Sequence, residues 1–501
     1  MTKGHIAIAG AGIGGMITAL LLKKQGFDVS IFEKEKNAGG RLAFIEREGY
    51  RIDKGPTIVL LPEMLTEILE EAGVPDEAWE LIPLDTLYSI RFQDGTVYRK
   101  HRNKNMQKKE IARLFPGQEE GFDRYMKEMH ESFKLGKASF LEKSFTKKKD
   151  FWTWKNIASL WKLKAYQSTK KYASNFFSDT RLQEAYSLQT LYIGGNPQTA
   201  PAMYSLIPYS EHEHGIHYVK GGYASLVDVL VERLRENKIP LYLDSKVEAI
   251  EEAGSAVTAI FSKDKKIKVD GLVWNGDFPS IQEVIEEEKS KNYTPSSGCL
   301  LLYFGVKDRY ESDVHQFFMS SDFDQHMKEV FKEKKVPTDP SFYTFNPGII
   351  DNSLAPEGKS VLYVLVPVPS GGHIDWSKEQ GFINRVMERL ESEAFPKLRE
   401  KMEWMEVRTP NDAEMEGLYQ GGSFGIAPEL FQSGVFRPQA KLSPYKNVYA
   451  TGASVHPGGG IPIVMQSARL AANQIVADFA YNSSKKDVNL HERIDQSIST
   501  L

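Results

Sequence analysis

Apolar residues in this chain fall into runs whose spacing predicts the order of its elements. Ile6, Ala7, Ile8 and Ala9 form an unbroken β-type run, followed by a small-residue apolar helix pattern to about Lys24. A second β-type run covers Val29 to Phe32. Further on, the spacing predicts a short helix at Leu65–Ala72 and a hairpin over 88–98 turning at Asp94-Gly95. Residues from about 108 to 190 are mostly helical in pattern. An amphipathic helix is predicted from Ala224 to Glu236, with Leu226, Val229, Leu230 and Leu234 on one face. Residues 256–274 alternate as sheet hairpins. Two long apolar strands, 298–306 and 360–368, point to a second sheet, and a helix is expected at about 377–394. The tail repeats the opening theme: a buried strand from Val448 to Thr451, a glycine-rich loop and a small-residue helix.

The turn after the first strand carries chemistry. It reads Gly10-x-Gly12-x-x-Gly15, and the second strand is closed by Glu33. Strand, glycine turn, helix, strand and acid in that order make the βαβ unit that binds a dinucleotide. Gly10 makes the tight turn, Gly12 lets backbone approach a pyrophosphate, and Gly15 lets helix and strand pack closely. The positive end of the helix then faces the phosphates, and Glu33 stands where an acid hydrogen-bonds a ribose hydroxyl.

Composition narrows the function classes. The 501 residues are 41% hydrophobic and 26% charged with a net charge of −4, so no domain-wide excess of cations serves a nucleic acid. The length suits two lobes. The single cysteine, Cys299, lies in an apolar strand and reads as a buried, inert thiol in a reducing cytosol. The apolar N-terminus is explained by its glycine spacing rather than as a signal peptide, and no stretch has the length of a spanning helix.

Two stretches remain. Residues 133–172 interleave lysines with Phe140, Phe145, Phe151, Trp152, Trp154, Leu160, Trp161 and Tyr166. Aromatic anchors beside lysines suit a helix lying on a membrane surface; the alternative is a solvated helix pair with its aromatics packed inside. His212, His214 and His217 lack a set of companion ligands, so a polar loop is expected there and no metal.

Beyond the first acid come Gly39-Gly40-Arg41 and Asp53-x-Gly55-Pro56-Thr57, and the tail carries Gly452-Ala453 and Pro457-Gly458-Gly459-Gly460-Ile461-Pro462. With these motifs the sequence resembles the amine oxidase and carotenoid desaturase flavoproteins, and within them the bacterial carotenoid (phytoene/dehydrosqualene) desaturases. The C30 branch, which acts on dehydrosqualene (4,4′-diapophytoene), is most similar, through GPTIVLLPE, LQTLYIGGNP, HYVKGGY, SLAPEGK and TPND. The resemblance implies an α/β fold: a Rossmann-like FAD-binding domain of that type, an interleaved α+β substrate domain and a helical membrane-facing part. FAD-binding segments are expected at 1–90, 216–290 and 426–501, with substrate segments at 91–215 and 291–425.

FAD is the implied cofactor. Its implied contacts are Gly10, Gly12, Gly15, Glu33, Lys34, Gly40, Arg41, Gly55, Pro56, Thr57, Val247, Gly452, Ala453, Gly460, Ile461 and Pro462. The implied reaction is desaturation of a linear C30 carotenoid precursor, by hydride transfer to flavin N5 and loss of a proton. Quinone or oxygen is the expected acceptor, and the expected location is the cytoplasmic side of the membrane, held peripherally. His456 is the candidate base or flavin-side partner. A sister activity, oxidation of the terminal methyl groups of the same carotenoids, and a non-catalytic prenyl-lipid carrier on the same fold are the alternatives.

Overall fold

A computed structural model describes residues 2–145, 151–285 and 291–498, with side chains described up to 481 and that of residue 155 left aside. Its organising element is a five-stranded parallel sheet in the order Val448–Ala450, Gly271–Trp274, His5–Ala9, Asp28–Phe32, Leu241–Tyr242. Covered on both faces, the central strands are apolar at successive positions, which explains the unbroken run at Ile6–Ala9.

The first helix, Ile13–Lys24, is buried almost all round because it is clamped between that sheet and the helices Ser225–Glu236 and Ile461–Ile498. Small residues permit the clamp. A Cβ on Gly14 would stand 3.1 Å from both Thr451 Oγ1 and Val464 Cγ1. The two ends of the chain therefore meet, as the repeated strand–glycine–helix pattern predicts.

The second lobe is a seven-stranded mixed sheet. Its order is Met402–Arg408, Gly298–Val306, Ser360–Val368, Phe342–Phe345, His315–Phe318, Thr86–Arg91, Val97–His101. The two long strands expected from the sequence pair antiparallel over their whole length, from Gly298 opposite Val368 to Val306 opposite Ser360. One face packs Leu300, Leu302, Phe304, Val364 and Val366 against Phe382, Val386 and Leu390 of the segment that follows. The other face carries Cys299, Leu301, Tyr343 and Tyr363. The Asp94-Gly95 hairpin forms as expected, and its strands belong to this second sheet, so the first change of lobe falls before residue 86 rather than at 90.

One expectation does not hold. His212 and His214 sit on a helix, Leu206–His214, and not in a polar loop. His212 is buried, with Nδ1 on the His101 carbonyl (2.9 Å) and Nε2 on the Tyr186 hydroxyl (3.1 Å). The aromatic–lysine stretch is divided. Phe140, Phe145 and Phe151 pack on one another in a small core, whereas Trp152, Trp154, Trp161 and Tyr166 are exposed. Residues 146–150 of that stretch lie outside the described residues.

Candidate cofactor and substrate site

One cavity of about 1250 Å³ is lined at one end by the glycine turns of both chain ends and at the other by apolar side chains of the second sheet and its helices. The glycine end is sterically demanding. Gly10 has φ +106°, and a Cβ there would meet the Asn275 carbonyl at 3.0 Å. A Cβ on Gly15 would fall 2.2 Å from the Gly10 carbonyl oxygen, so this glycine serves the helix–strand packing expected of it. Gly12 forms the N-cap of the first helix, with no side-chain cap on the N–H groups of the first turn, and bridges to Gly39. Open N–H groups and the helix dipole suit this turn to an anionic group.

The remaining residues expected at the cofactor arrange themselves around this turn. Glu33 is buried, and its two carboxylate oxygens accept the N–H groups of Ala11 (2.7 Å) and Glu35 (2.9 Å), which locks the acid beside the turn. Lys34 donates from Nζ to the Glu416 carbonyl at 2.7 Å. Gly40 has φ +61°, and Arg41 reaches Asp277 at 3.5 Å. A Cβ on Gly55 would lie 2.2 Å from the Arg41 carbonyl oxygen, so Pro56 and Thr57 follow directly on the Arg41 wall. Val247 is buried on the cavity wall in the link between the strands Leu241–Tyr242 and Ala249–Ala253. Gly452 (φ +126°), Ala453, Gly460 (φ +99°), Ile461 and Pro462 complete the lining, the last two opening the final helix. All sixteen residues expected to hold the cofactor line this cavity, except Gly15, which packs behind it.

His456 also lines the cavity, but its ring is committed to structure. Nε2–H donates to the carbonyls of Phe140 and Lys143, both at 2.9 Å, tying the tail loop to the helical segment above it. Burial pushes the imidazole down to about 4 against those two carbonyls, so it is neutral and a weak base near neutral pH. Cys299 is buried, and burial pushes its thiol up to about 12, the inert state expected.

Several contributors were not singled out from the sequence. Asn275 donates from Nδ2 to the Gly10 carbonyl (3.0 Å) and props the turn. Asp277 takes the Tyr419 N–H (2.9 Å) as well as Arg41 and the Ser454 hydroxyl. Asp53 accepts the N–H groups of Tyr223 (2.9 Å) and Ala224 (2.8 Å) at the start of the Ser225–Glu236 helix, and burial pushes its carboxyl up to about 7 against them. Asp53 stood in a quoted motif and Asn275 directly follows the hairpin segment predicted over 256–274; Asp277 had no local signal.

The apolar end is walled by rings and branched chains. Phe317 stands 5.1 Å from Tyr343 and 6.1 Å from Tyr192, and Tyr343 stands 6.1 Å from Tyr363. Leu188, Leu191, Leu206 and Phe140 line the helical side. Among the described residues no cluster of three or more His, Cys, Asp or Glu is placed to hold a metal.

The comparisons agree with this geometry. A family model for flavin-containing amine oxidoreductases matches residues 13–476. The chain is 55% identical to a 4,4′-diapolycopen-4-al dehydrogenase of Metabacillus indicus, over 97% of this chain and 99% of the relative. It is 31% identical to the 4,4′-diapophytoene desaturase (4,4′-diaponeurosporene-forming) of Staphylococcus aureus strain Newman, over 94% of this chain and 99% of the relative. A solved oxidoreductase from Methanosarcina mazei shares the fold with a TM-score of 0.63 at 14% identity, covering 93% of this chain and 99% of that one. The glycine cradle built from both chain ends thus belongs to a flavoprotein: this chain is a member of the flavin-containing amine oxidoreductase family, in its carotenoid desaturase group of FAD-dependent oxidoreductases.

Proposed function

We propose that this enzyme oxidises linear C30 carotenoids, and that its reaction is oxidation at the chain terminus, from aldehyde to carboxylic acid. The observation that carries the reading is the single cavity joining a dinucleotide cradle to an apolar, aromatic-walled chamber. A chamber of that kind suits a long apolar substrate. The terminal position is supported by the 55% identity to a relative named for an aldehyde of this class.

Bound FAD supplies the hydride acceptor. The chain's own residues do the rest. The Gly10–Gly15 turn and Arg41 would hold the FAD pyrophosphate, and the two helix N-termini would favour negative charge on the cofactor. Phe317, Tyr343, Tyr363 and the leucines orient the polyene and exclude bulk water. His456 acts as a latch on the tail loop rather than as a base. Conversion of an aldehyde to an acid takes up one water and removes one hydride and one proton.

Desaturation of a C30 hydrocarbon is the second reading, supported by the 31% identity to a desaturase and by the tail motif. Holoenzyme given a linear C30 polyene aldehyde and, separately, a C30 hydrocarbon precursor tests the two. The expected product is the acid, one oxygen heavier than the aldehyde. A hydrocarbon product with a lengthened chromophore would replace the terminal reading by desaturation, and unchanged substrates would sink both.

We also propose that the enzyme draws this substrate from the cytoplasmic face of a membrane and returns its electrons to quinone or oxygen. On the Trp154–Lys162 helix, Trp154, Ile157 and Trp161 are 88%, 40% and 70% exposed at helical spacing, with Trp152 beside them. Rings held out of the core on a lysine-bearing helix suit the headgroup layer. No helix among the described residues is long and apolar enough to cross a membrane. Replacing Trp154 and Trp161 by Glu should abolish sedimentation with anionic vesicles while sparing turnover of detergent-dispersed substrate; vesicle binding at the wild-type level would refute the docking face.

A further inference from the structure

The apolar wall of the cavity holds one chain of polar side chains. The Tyr343 hydroxyl lies 2.7 Å from Thr57 Oγ1 and 2.7 Å from Nδ1 of His315. All three side chains are buried, and Thr57 and Tyr343 line the cavity. His315 lies deeper, stacked on Phe345 at 5.0 Å, and its Nε2 has no hydrogen-bond partner. The nearby Tyr192 hydroxyl is unavailable, since it donates to Glu211 at 3.0 Å.

The chain has a direction set by the imidazole. Burial pushes His315 down to about 3, so near neutral pH one ring nitrogen carries a proton and the other does not. With the proton on Nδ1, His315 donates to Tyr343, Tyr343 donates to Thr57, and the Thr57 O–H is left over. With the proton on Nε2 the order reverses, Thr57 keeps bare lone pairs, and the ring N–H is buried without an acceptor, since Nε2 has no partner. The Nδ1–H tautomer avoids that cost and leaves a free O–H on Thr57. This residue stands where the glycine cradle, through Gly55 and the Arg41 carbonyl, gives way to the aromatic wall. A pure hydrocarbon has nothing to offer such a group, and burying it against one leaves it unsatisfied. A carbonyl oxygen satisfies it.

We propose that Thr57, positioned by Tyr343 and His315, is the specificity contact for the oxygen of an oxygenated polyene end, holding the terminal carbon beside the cofactor. The proposal rests on the terminal-oxidation reading and names the residues that would enforce it. Thr57 touches the oxygen; Tyr343 and His315 are positioning residues. A site built around a hydrogen bond to substrate oxygen discriminates against the analogue that lacks it.

The test is a binding spectrum. Holoenzyme with its flavin reduced beforehand, under anaerobic conditions, does not consume an aldehyde, so a linear C30 polyene monoaldehyde and the matching hydrocarbon can both be titrated. The aldehyde band should shift to longer wavelength on binding, because a hydrogen bond to the carbonyl draws electron density along the polyene. Thr57→Val and Tyr343→Phe should each lose that shift and weaken aldehyde binding about tenfold, the worth of one net hydrogen bond. Hydrocarbon affinity should stay at the wild-type value in both variants, and FAD affinity should stay there in Tyr343→Phe, which leaves every residue expected at the cofactor in place.

Equal weakening for hydrocarbon and aldehyde would reduce the chain to wall structure and overturn the proposal. So would a change in flavin absorbance or FAD affinity with the aldehyde shift intact, since Thr57 would then address the cofactor. Loss of the shift in Ser210→Ala, another buried hydroxyl on the cavity wall, with retention in Tyr343→Phe would place the contact elsewhere. An enzyme that makes the acid but keeps the shift in both variants defeats this inference only. One that makes no acid defeats the functional reading beneath it.

Discussion

Replacing Gly15 by Ala puts the cradle to the sharpest test. The new Cβ would stand 2.2 Å from the Gly10 carbonyl oxygen and 2.8 Å from Asn275 Nδ2, against ordinary contact from 3.4 Å, so the first pair is 1.2 Å too close. Asn275 can swing away at the cost of its hydrogen bond to Gly10. The Gly10 carbonyl cannot, because its own residue is held at φ +106° and its N–H is bonded to the Phe32 carbonyl at 2.8 Å. The helix must move off the strand, and overpacking of this kind costs about 1–3 kcal/mol. Alanine returns up to about 1 kcal/mol in helix propensity, less in the first turn where Gly15 lies. The net loss of stability should therefore be about 0–3 kcal/mol, small for a protein of this size, while the pyrophosphate seat is displaced.

The expected result is a melting temperature near that of the wild type together with an FAD dissociation constant raised about tenfold to a hundredfold, or about 1.4–2.8 kcal/mol. Fluorescence titration of apoprotein with FAD measures the second quantity, and calorimetry the first. Gly26→Ala is the comparison. It has φ +86° with nothing within 4 Å of a Cβ, so it should lose about 1–2 kcal/mol of stability through backbone strain and keep its FAD affinity. Wild-type FAD affinity in Gly15→Ala would refute the steric account of the turn.

Other expectations concern buried charge and protonation. Lys100 and Glu211 form a fully buried pair at 2.8 Å in the second lobe, and Glu211 also accepts from Tyr88 and Tyr192. Lys100→Met should cost about 3–5 kcal/mol in denaturant unfolding, and adding Glu211→Gln should recover part of it; no recovery would show that packing rather than charge dominates. His315, His326 and His456 are held neutral, at about 3, 4 and 4 respectively. Their folded values lie below the ordinary 6.5, so the unfolded chain binds more protons between about pH 6.5 and 4. Stability is then fully present above pH 6.5 and falls as pH drops through that window, by up to about 1.4 kcal/mol per unit for each group. A melting temperature that is flat from pH 6.5 to 4.5 would contradict their burial as neutral rings.

Read in order, the residues themselves determined what depends on near neighbours. The turn at Gly10–Gly15, the acid at Glu33, the hairpin at Asp94-Gly95 and the two long apolar strands follow from steric demands and apolar patterning within a few positions. So does the meeting of the two chain ends, because strand, glycine and helix recur at the tail. Tertiary structure decided what depends on register between distant strands. Thr57, Tyr343 and His315 are brought into one hydrogen-bonded chain although Thr57 and Tyr343 are 286 positions apart. Lys100 meets Glu211 across 111 positions. The same holds for the aromatic stretch. Its composition admits either burial or exposure, and only the packing of Phe140, Phe145 and Phe151 beside His456 left the tryptophans outside. Local sterics act through covalent neighbours and are legible in order along the chain; a buried polar contact exists only once the sheets have chosen which side chains face each other.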